Sequence, residues 1–214
     1  MTAKLLTEVV GTFFLVLTIG LTVVGGVPLA PLAIGSVLMV MVYMGGHISG
    51  AHYNPAVTLA LLLRGKVRGA EAGAYMASQL VGAVVASLAV VALKGESLVV
   101  APGVGASTVQ ILLSEILFTF ALALVVLNVA TSPRTEGNSY YGLAIGFTVM
   151  VGATAVGDIS GGAFNPAVGL GPAIAGLATG AGLNGQAFIY YLVGPFIGGA
   201  LAAAAFRMQH EGQA

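Results

Sequence analysis

Cysteine is absent from the 214 residues, which excludes a disulfide framework, thiol chemistry and any cysteine-based metal site. Charge is scarce as well. Only 7% of residues are Asp, Glu, Lys or Arg, against about 25% in a soluble domain. The seven basic and seven acidic side chains cancel, leaving no electrostatic footprint for nucleic acid. Neither a phosphate-binding loop nor a nucleophile paired with a base stands out, so nothing here supports an enzyme or a cofactor. The surplus is apolar: 58% of residues are hydrophobic and the mean hydropathy is +1.03. The 32 glycines suit close contact between helices in lipid. The chain reads as an all-α, multi-span membrane protein. Its first apolar run contains Glu8 and no small-residue cleavage site, so it reads as a span rather than a signal peptide.

One stretch is written twice. Residues 46–57 read GHISGAHYNPAV and residues 157–168 read GDISGGAFNPAV, with eight of twelve positions identical. Such self-similarity has to be recognised before the fold is read. In each copy a Gly-containing approach runs into Asn-Pro-Ala. Proline suits the first turn of a helix, where its missing N–H costs nothing. The asparagine before it stands at the N-cap position. Each copy therefore predicts a re-entrant loop that delivers a short helix, from Pro55 and from Pro166. The first, ending near Leu63, spans ~14 Å at ~1.5 Å per residue, about half of a ~30 Å hydrocarbon core.

Six full spans are expected at about residues 5–24, 32–44, 70–93, 109–130, 140–156 and 186–206. The second half-helix should reach about residue 175. The whole chain, 1–214, reads as one transmembrane channel domain, with repeat 1 at about 1–93 and repeat 2 at about 107–207. Thr7-Glu8 and Ser114-Glu115 open equivalent spans of the two halves. Three spans per half is an odd number, so the second half must be inverted, with the site at the midplane. With both termini cytoplasmic, Lys4, Arg64, Lys66, Arg68, Arg134 and Arg207 lie inside and only Lys94 outside, as the positive-inside rule asks.

Irregular backbone at membrane depth survives only where it is packed in protein or lines a wet cavity. Both loops are thus expected to line a path. The two half-helices would aim positive dipole ends at its centre, and Asn54 and Asn165 would offer amide donors there. A cation meets a barrier at such a point, whereas a neutral hydrogen-bonding molecule does not.

With the paired motifs Asn54-Pro55-Ala56 and Asn165-Pro166-Ala167, the Gly-His-Ile-Ser-Gly-Ala-His-Tyr approach, Gln79-Leu-Val-Gly82-Ala83 in span 3 and Tyr191-Leu-Val-Gly-Pro-Phe-Ile-Gly198 in span 6, the chain resembles the aquaporin (major intrinsic protein) family over nearly its whole length. The resemblance implies six tilted helices with two half-helices, one pore per protomer and a homotetramer in a cell membrane. The family usually follows its second Asn-Pro-Ala with an arginine at a narrow outer filter; here that position is Val168. Carried over by spacing, the other filter positions are Ile34, Ala153 and Gly162. Water channels of the family typically place an aromatic, a histidine and the arginine there, and these four positions hold none of them. The glycerol-conducting branch often has Asp after the arginine; Gly169 stands there instead. The four residues imply a wider, apolar constriction. The expected function is passive passage of water and small uncharged solutes, with glycerol, urea, hydrogen peroxide and metalloid acids as candidates.

Glu8 and Glu115 are carboxylates inside spans, and intramembrane carboxylates are functional by default. Their recurrence at equivalent positions favours a supporting role, accepting hydrogen bonds from the buried N–H groups of the loops. His47 and His52, five apart on one motif, are also read as loop supports. A metal site lacks a third ligand, although gating by protonation of a histidine is a reading they allow. Asp158 replaces His47 in the second copy and reads as a backbone-bonding turn residue of the outer loop, with a weakly cation-attracting vestibule as the alternative. Two rival functions share these features: a secondary transporter, which also uses inverted repeats and broken helices, and a non-conducting structural membrane protein of the same fold.

Overall fold

The computed structural model describes residues 1–180 and 185–210. Eight α-helices follow one another: α1 (Thr2–Val24), α2 (Ala30–Ser49), α3 (Pro55–Leu63), α4 (Gly69–Lys94), α5 (Thr108–Thr131), α6 (Tyr141–Ser160), α7 (Pro166–Thr179) and α8 (Gly185–Gln209). A single 3-10 turn, Pro133–Thr135, lies between α5 and α6. Six of the helices are long and apolar enough to cross a membrane. The other two, α3 and α7, follow the repeated motif. Expected residues 181–184 of the Gly-rich connection lie outside the described residues.

Two boundaries differ from expectation in the same way. The second span was expected to stop at residue 44 and the fifth at 156, but α2 continues to Ser49 and α6 to Ser160. The glycines of GHIS and GDIS look like loop residues, since glycine costs a helix interior about 1 kcal/mol. Both helices absorb that cost; in α2 the neighbouring Gly45 is required by close packing, since a Cβ there would fall within the Tyr53 side chain, whereas a Cβ on Gly157 would meet nothing within 4 Å. Both helices stop instead at Gly50 and Gly161, in the left-handed conformation at φ 88° and 86°, the usual C-terminal glycine cap. The loops proper are therefore only five residues each, 50–54 and 161–165, the asparagine included. At the other end α7 outruns its expected stop at residue 175 by four residues, carrying Pro172 within it.

The helices pair across the repeats. Within each half the first and last spans pack together, α1 on α4 and α5 on α8, while α2 meets α6 at the centre. At that crossing a Cβ on Gly35 would lie 2.7 Å from the carbonyl oxygen of Gly146, so only glycine lets the two backbones approach. Each half-helix packs on the last span of the opposite half, α3 on α8 and α7 on α4. Gly199 of α8 sits against the backbone of Ala56, where a Cβ would be 2.6 Å from the Ala56 oxygen. The outward faces carry exposed Leu6, Val81, Leu93, Val109, Leu117 and Leu201, as a helix bundle in lipid presents them.

Candidate functional site

The loops are built from backbone that most side chains avoid. Ala51, Tyr53 and Phe164 have φ near +50°, a conformation that costs a non-glycine residue about 1–3 kcal/mol and persists only when its surroundings over-determine it. Two fully buried carboxylates supply that determination. Glu8 of α1 accepts from Ser49 Oγ at 2.6 Å, from the backbone N–H of His52 at 3.0 Å and of Tyr53 at 2.8 Å, and from Gln79 Nε2 at 2.7 Å. Glu115 of α5 accepts from Ser160 Oγ at 2.8 Å and from the N–H groups of Ala163 at 3.1 Å and Phe164 at 2.7 Å. The hydroxyls of Tyr75 and Tyr191 close the loop entrances by donating to the carbonyls of Ser49 and Ser160. Gln79 has no counterpart. It lies three residues before Gly82, and three residues before Gly198 the other half has Pro195.

The asparagines do more than cap. Asn54 Oδ1 accepts from Ala56 N at 2.8 Å, and Asn165 Oδ1 accepts from Ala167 N at 2.9 Å, the N-cap bond. Each Nδ2 then donates across the pseudo-symmetry axis to the opposite loop, Asn54 to Phe164 O and Asn165 to Tyr53 O, both at 2.9 Å. An amide nitrogen has two protons. One fixes the partner loop and the other remains for whatever occupies the centre. Pro55 and Pro166 open the helices, and Ala56 and Ala167 are fully buried where a larger side chain would separate the half-helix from its neighbours.

A cavity of about 280 Å³ opens on one side of this junction. Ile34, Ala153, Gly162 and Val168 all line it, together with Asn54 and Asn165. None of its lining residues is Asp, Glu, Lys or Arg. A second, larger cavity of about 610 Å³ lies on the other side, bordered by Lys66, Ser132 and Glu136 among others. Ala51 and His52 border both, so the two cavities meet at the loop beside the asparagines.

The two histidines separate. His52 Nδ1 lies 3.1 Å from Thr58 Oγ1. That hydroxyl donates to Asn54 O and already accepts from Gln79 Nε2, each at 3.0 Å, so towards His52 it can only accept. The network therefore assigns the proton to Nδ1 and leaves Nε2 a bare acceptor. The ring also meets Tyr75 edge-on, with centroids 4.8 Å apart. His47 does not support the loop as expected. It is exposed on the last turn of α2 and lines the larger cavity, because the helix continues through it and turns its side chain away. Asp158 likewise sits exposed in the last turns of α6 rather than in a loop. Among the described residues no group of three His, Cys, Asp or Glu could hold a metal ion.

Comparison with known proteins places this geometry. The family model described as Major intrinsic protein matches residues 1–206. Aquaporin NIP1-3 of Oryza sativa subsp. japonica is 40% identical over 219 residues, covering 96% of this chain and 73% of its own. Glycerol uptake facilitator protein-like 6 of Lactiplantibacillus plantarum is 36% identical over 219 residues, covering 96% of this chain and 97% of its own. The crystal structure of the aquaglyceroporin from Plasmodium falciparum superposes with a TM-score of 0.82 at 21% identity, over 99% of this chain and 96% of that one; at that identity the likeness is one of fold.

Proposed function

Because the chain belongs to the major intrinsic protein family, whose members are passive membrane channels for water and small solutes and not enzymes, we propose that it conducts water together with small uncharged solutes through an apolar filter of Ile34, Ala153, Gly162 and Val168. The observation that carries this reading is the outer cavity: all four residues line it and no charged side chain does. Two of the four are small, which widens the opening, and none offers a hydrogen-bond partner, so permeants lean on backbone groups and on the Asn54 and Asn165 amides. The bacterial relative named as a glycerol uptake facilitator supports a neutral polyol among the solutes, and urea, hydrogen peroxide and uncharged metalloid acids share the required size and neutrality. The pore acts as a single channel domain assembled from both repeats. The protein works as a homotetramer in the cell membrane with both termini cytoplasmic, which sets six of seven basic residues inside.

Stopped-flow light scattering on proteoliposomes tests the solute range. The expected result is fast shrinkage in a sucrose gradient and rapid re-swelling in a glycerol gradient. Shrinkage without re-swelling would mean a water-selective pore and would overturn the size argument.

With no filter arginine, rejection of ions falls to the two half-helix ends and the amides at the centre. Asn165→Asp keeps the cap acceptor at Ala167 but replaces the donor to Tyr53 O with a negative charge at a positive helix end. Cation and proton leak through Asn54→Asp and Asn165→Asp proteoliposomes is expected to rise by an order of magnitude or more, as ~1.4 kcal/mol off a barrier is tenfold. Leak at the wild-type level in both variants, read with an entrapped pH dye, would sink the central-barrier argument.

A further inference from the structure

Resting on the reading of a wide, neutral pore, we propose that Leu98 is a fifth specificity-determining side chain at the outer constriction, held there by the segment that connects the two repeats. Read from sequence, residues 94–107 are a polar connection between spans. In the structure four consecutive residues of it, Leu98, Val99, Val100 and Ala101, line the same cavity as Ile34, Ala153, Gly162 and Val168.

Leu98 is 3% exposed although it lies in neither helix nor strand, while Val104, six residues on, is wholly exposed. Leu98 belongs to the same buried apolar cluster as Ile34 and Val168. The segment is tied down at three points. Ser97 Oγ and Thr179 Oγ1 are 2.9 Å apart, at the end of α7. The N–H of Gly103 donates to Ile159 O at 3.0 Å, near the end of α6. Between them the carbonyl of Ala101 lies over Gly161, where a Cβ would be 2.7 Å from the oxygen. All three anchors belong to α6, the second re-entrant loop and α7, the unit that carries Gly162 and Val168. The strap and the filter are therefore one rigid assembly, and Leu98 keeps a set position relative to Val168.

The four carried-over positions provide two branched aliphatic side chains and two small ones. Leu98 supplies a third branched side chain. It adds no donor or acceptor, so it narrows the opening without adding a polar step. Its effect falls on solute cross-section more than on the passage of water.

The test compares wild type, Leu98→Ala, Leu98→Phe and Val104→Ala in proteoliposomes under sucrose, glycerol and erythritol gradients, with thermal melting as a check on folding. Leu98→Ala is expected to raise the erythritol-to-glycerol permeability ratio several-fold with little change in water permeability. Leu98→Phe should lower glycerol flux several-fold, and Val104→Ala should match wild type throughout. An unchanged ratio in Leu98→Ala protein that melts like wild type overturns the proposal. If the alanine variant does not fold, Leu98→Val carries the same readout, a raised ratio supporting the assignment and an unchanged one ending it. A wild-type channel that passes water alone would refute the wide-pore reading separately. Leu98 then stands if its alanine variant admits glycerol and falls if it does not.

Discussion

Glu8→Ala is expected to abolish water flux and to destabilise the protein, with Glu115→Ala close behind. Each substitution strands buried backbone and hydroxyl donors, and in the Glu8 variant the Gln79 amide keeps only its bond to Thr58 Oγ1. Loss of the Glu8 carboxylate leaves the N–H groups of His52 and Tyr53, the Ser49 hydroxyl and the Gln79 amide without their acceptor. Loss of Glu115 strands the N–H groups of Ala163 and Phe164 and the Ser160 hydroxyl. A buried donor left unsatisfied costs about 1–3 kcal/mol. The strained residues Tyr53 and Phe164 lose the bonds that hold them as well. The expected loss is ~3 kcal/mol or more, a large part of the roughly 5–15 kcal/mol that holds a native protein together. Glu8 should cost more than Glu115 because it holds one donor more. Glu8→Gln should fall between wild type and alanine, since an amide accepts at one oxygen only and turns its NH2 towards a donor. Melting in detergent and water permeability in proteoliposomes read these effects. A Glu115→Ala variant with wild-type melting and wild-type flux would mean that the loop holds itself.

Val168→Arg is expected to suppress glycerol flux about tenfold while reducing water flux less than about threefold, a difference of at least about 0.7 kcal/mol between the two barriers. Val168 is 3% exposed and stands in the first turn of α7, on the wall of the cavity shared with Ile34, Ala153 and Gly162. A guanidinium there introduces a long side chain and five donors into a space lined by no carboxylate. It narrows the opening for a solute with a carbon skeleton, while its N–H groups give water the partners that valine withholds. The charge also strengthens cation rejection, although it sits unfavourably at the positive end of α7. Equal suppression of glycerol and water would show that Val168 does not line the narrowest point, and the filter assignment would fail.

The parts of the site that were legible in the sequence are the ones written as local patterns. Asn-Pro after a glycine-rich approach specifies a cap and a first turn within four residues, and α3 begins and ends where that pattern places it, at Pro55 and Leu63. Writing the pattern twice, with an odd number of spans between, implies the inversion. The equivalent placement of Glu8 and Glu115 drew attention to carboxylates with buried work to do. The sequence was misleading where packing outweighed propensity. Glycine signals a break when read locally, yet Gly45 and Gly46 lie inside α2, and at Gly45 the Tyr53 ring of the loop occupies the space a side chain would need. His47 moved with them from the loop to the helix face.

Other features had no local signal. Nothing near Asn54 says that its second role is a bond to Phe164, 110 positions away, or that Gln79 and Thr58 together set the tautomer of His52. Residues 98–101 read only as part of a polar connection, and nothing local showed that they line the cavity.

Composition, the repeated twelve residues and the alternation of apolar spans with polar turns thus determined the membrane class, the inverted architecture and the identity of the central asparagines, because each depends on hydropathy or on hydrogen bonds within a few residues. Tertiary structure decided where the loops begin, which donors each carboxylate gathers, how the asparagines bind each other's loops and which side chains line the outer cavity. Those depend on contacts between segments far apart in the chain, whose close approach is set by the glycines at helix crossings rather than by any preference of the segments themselves.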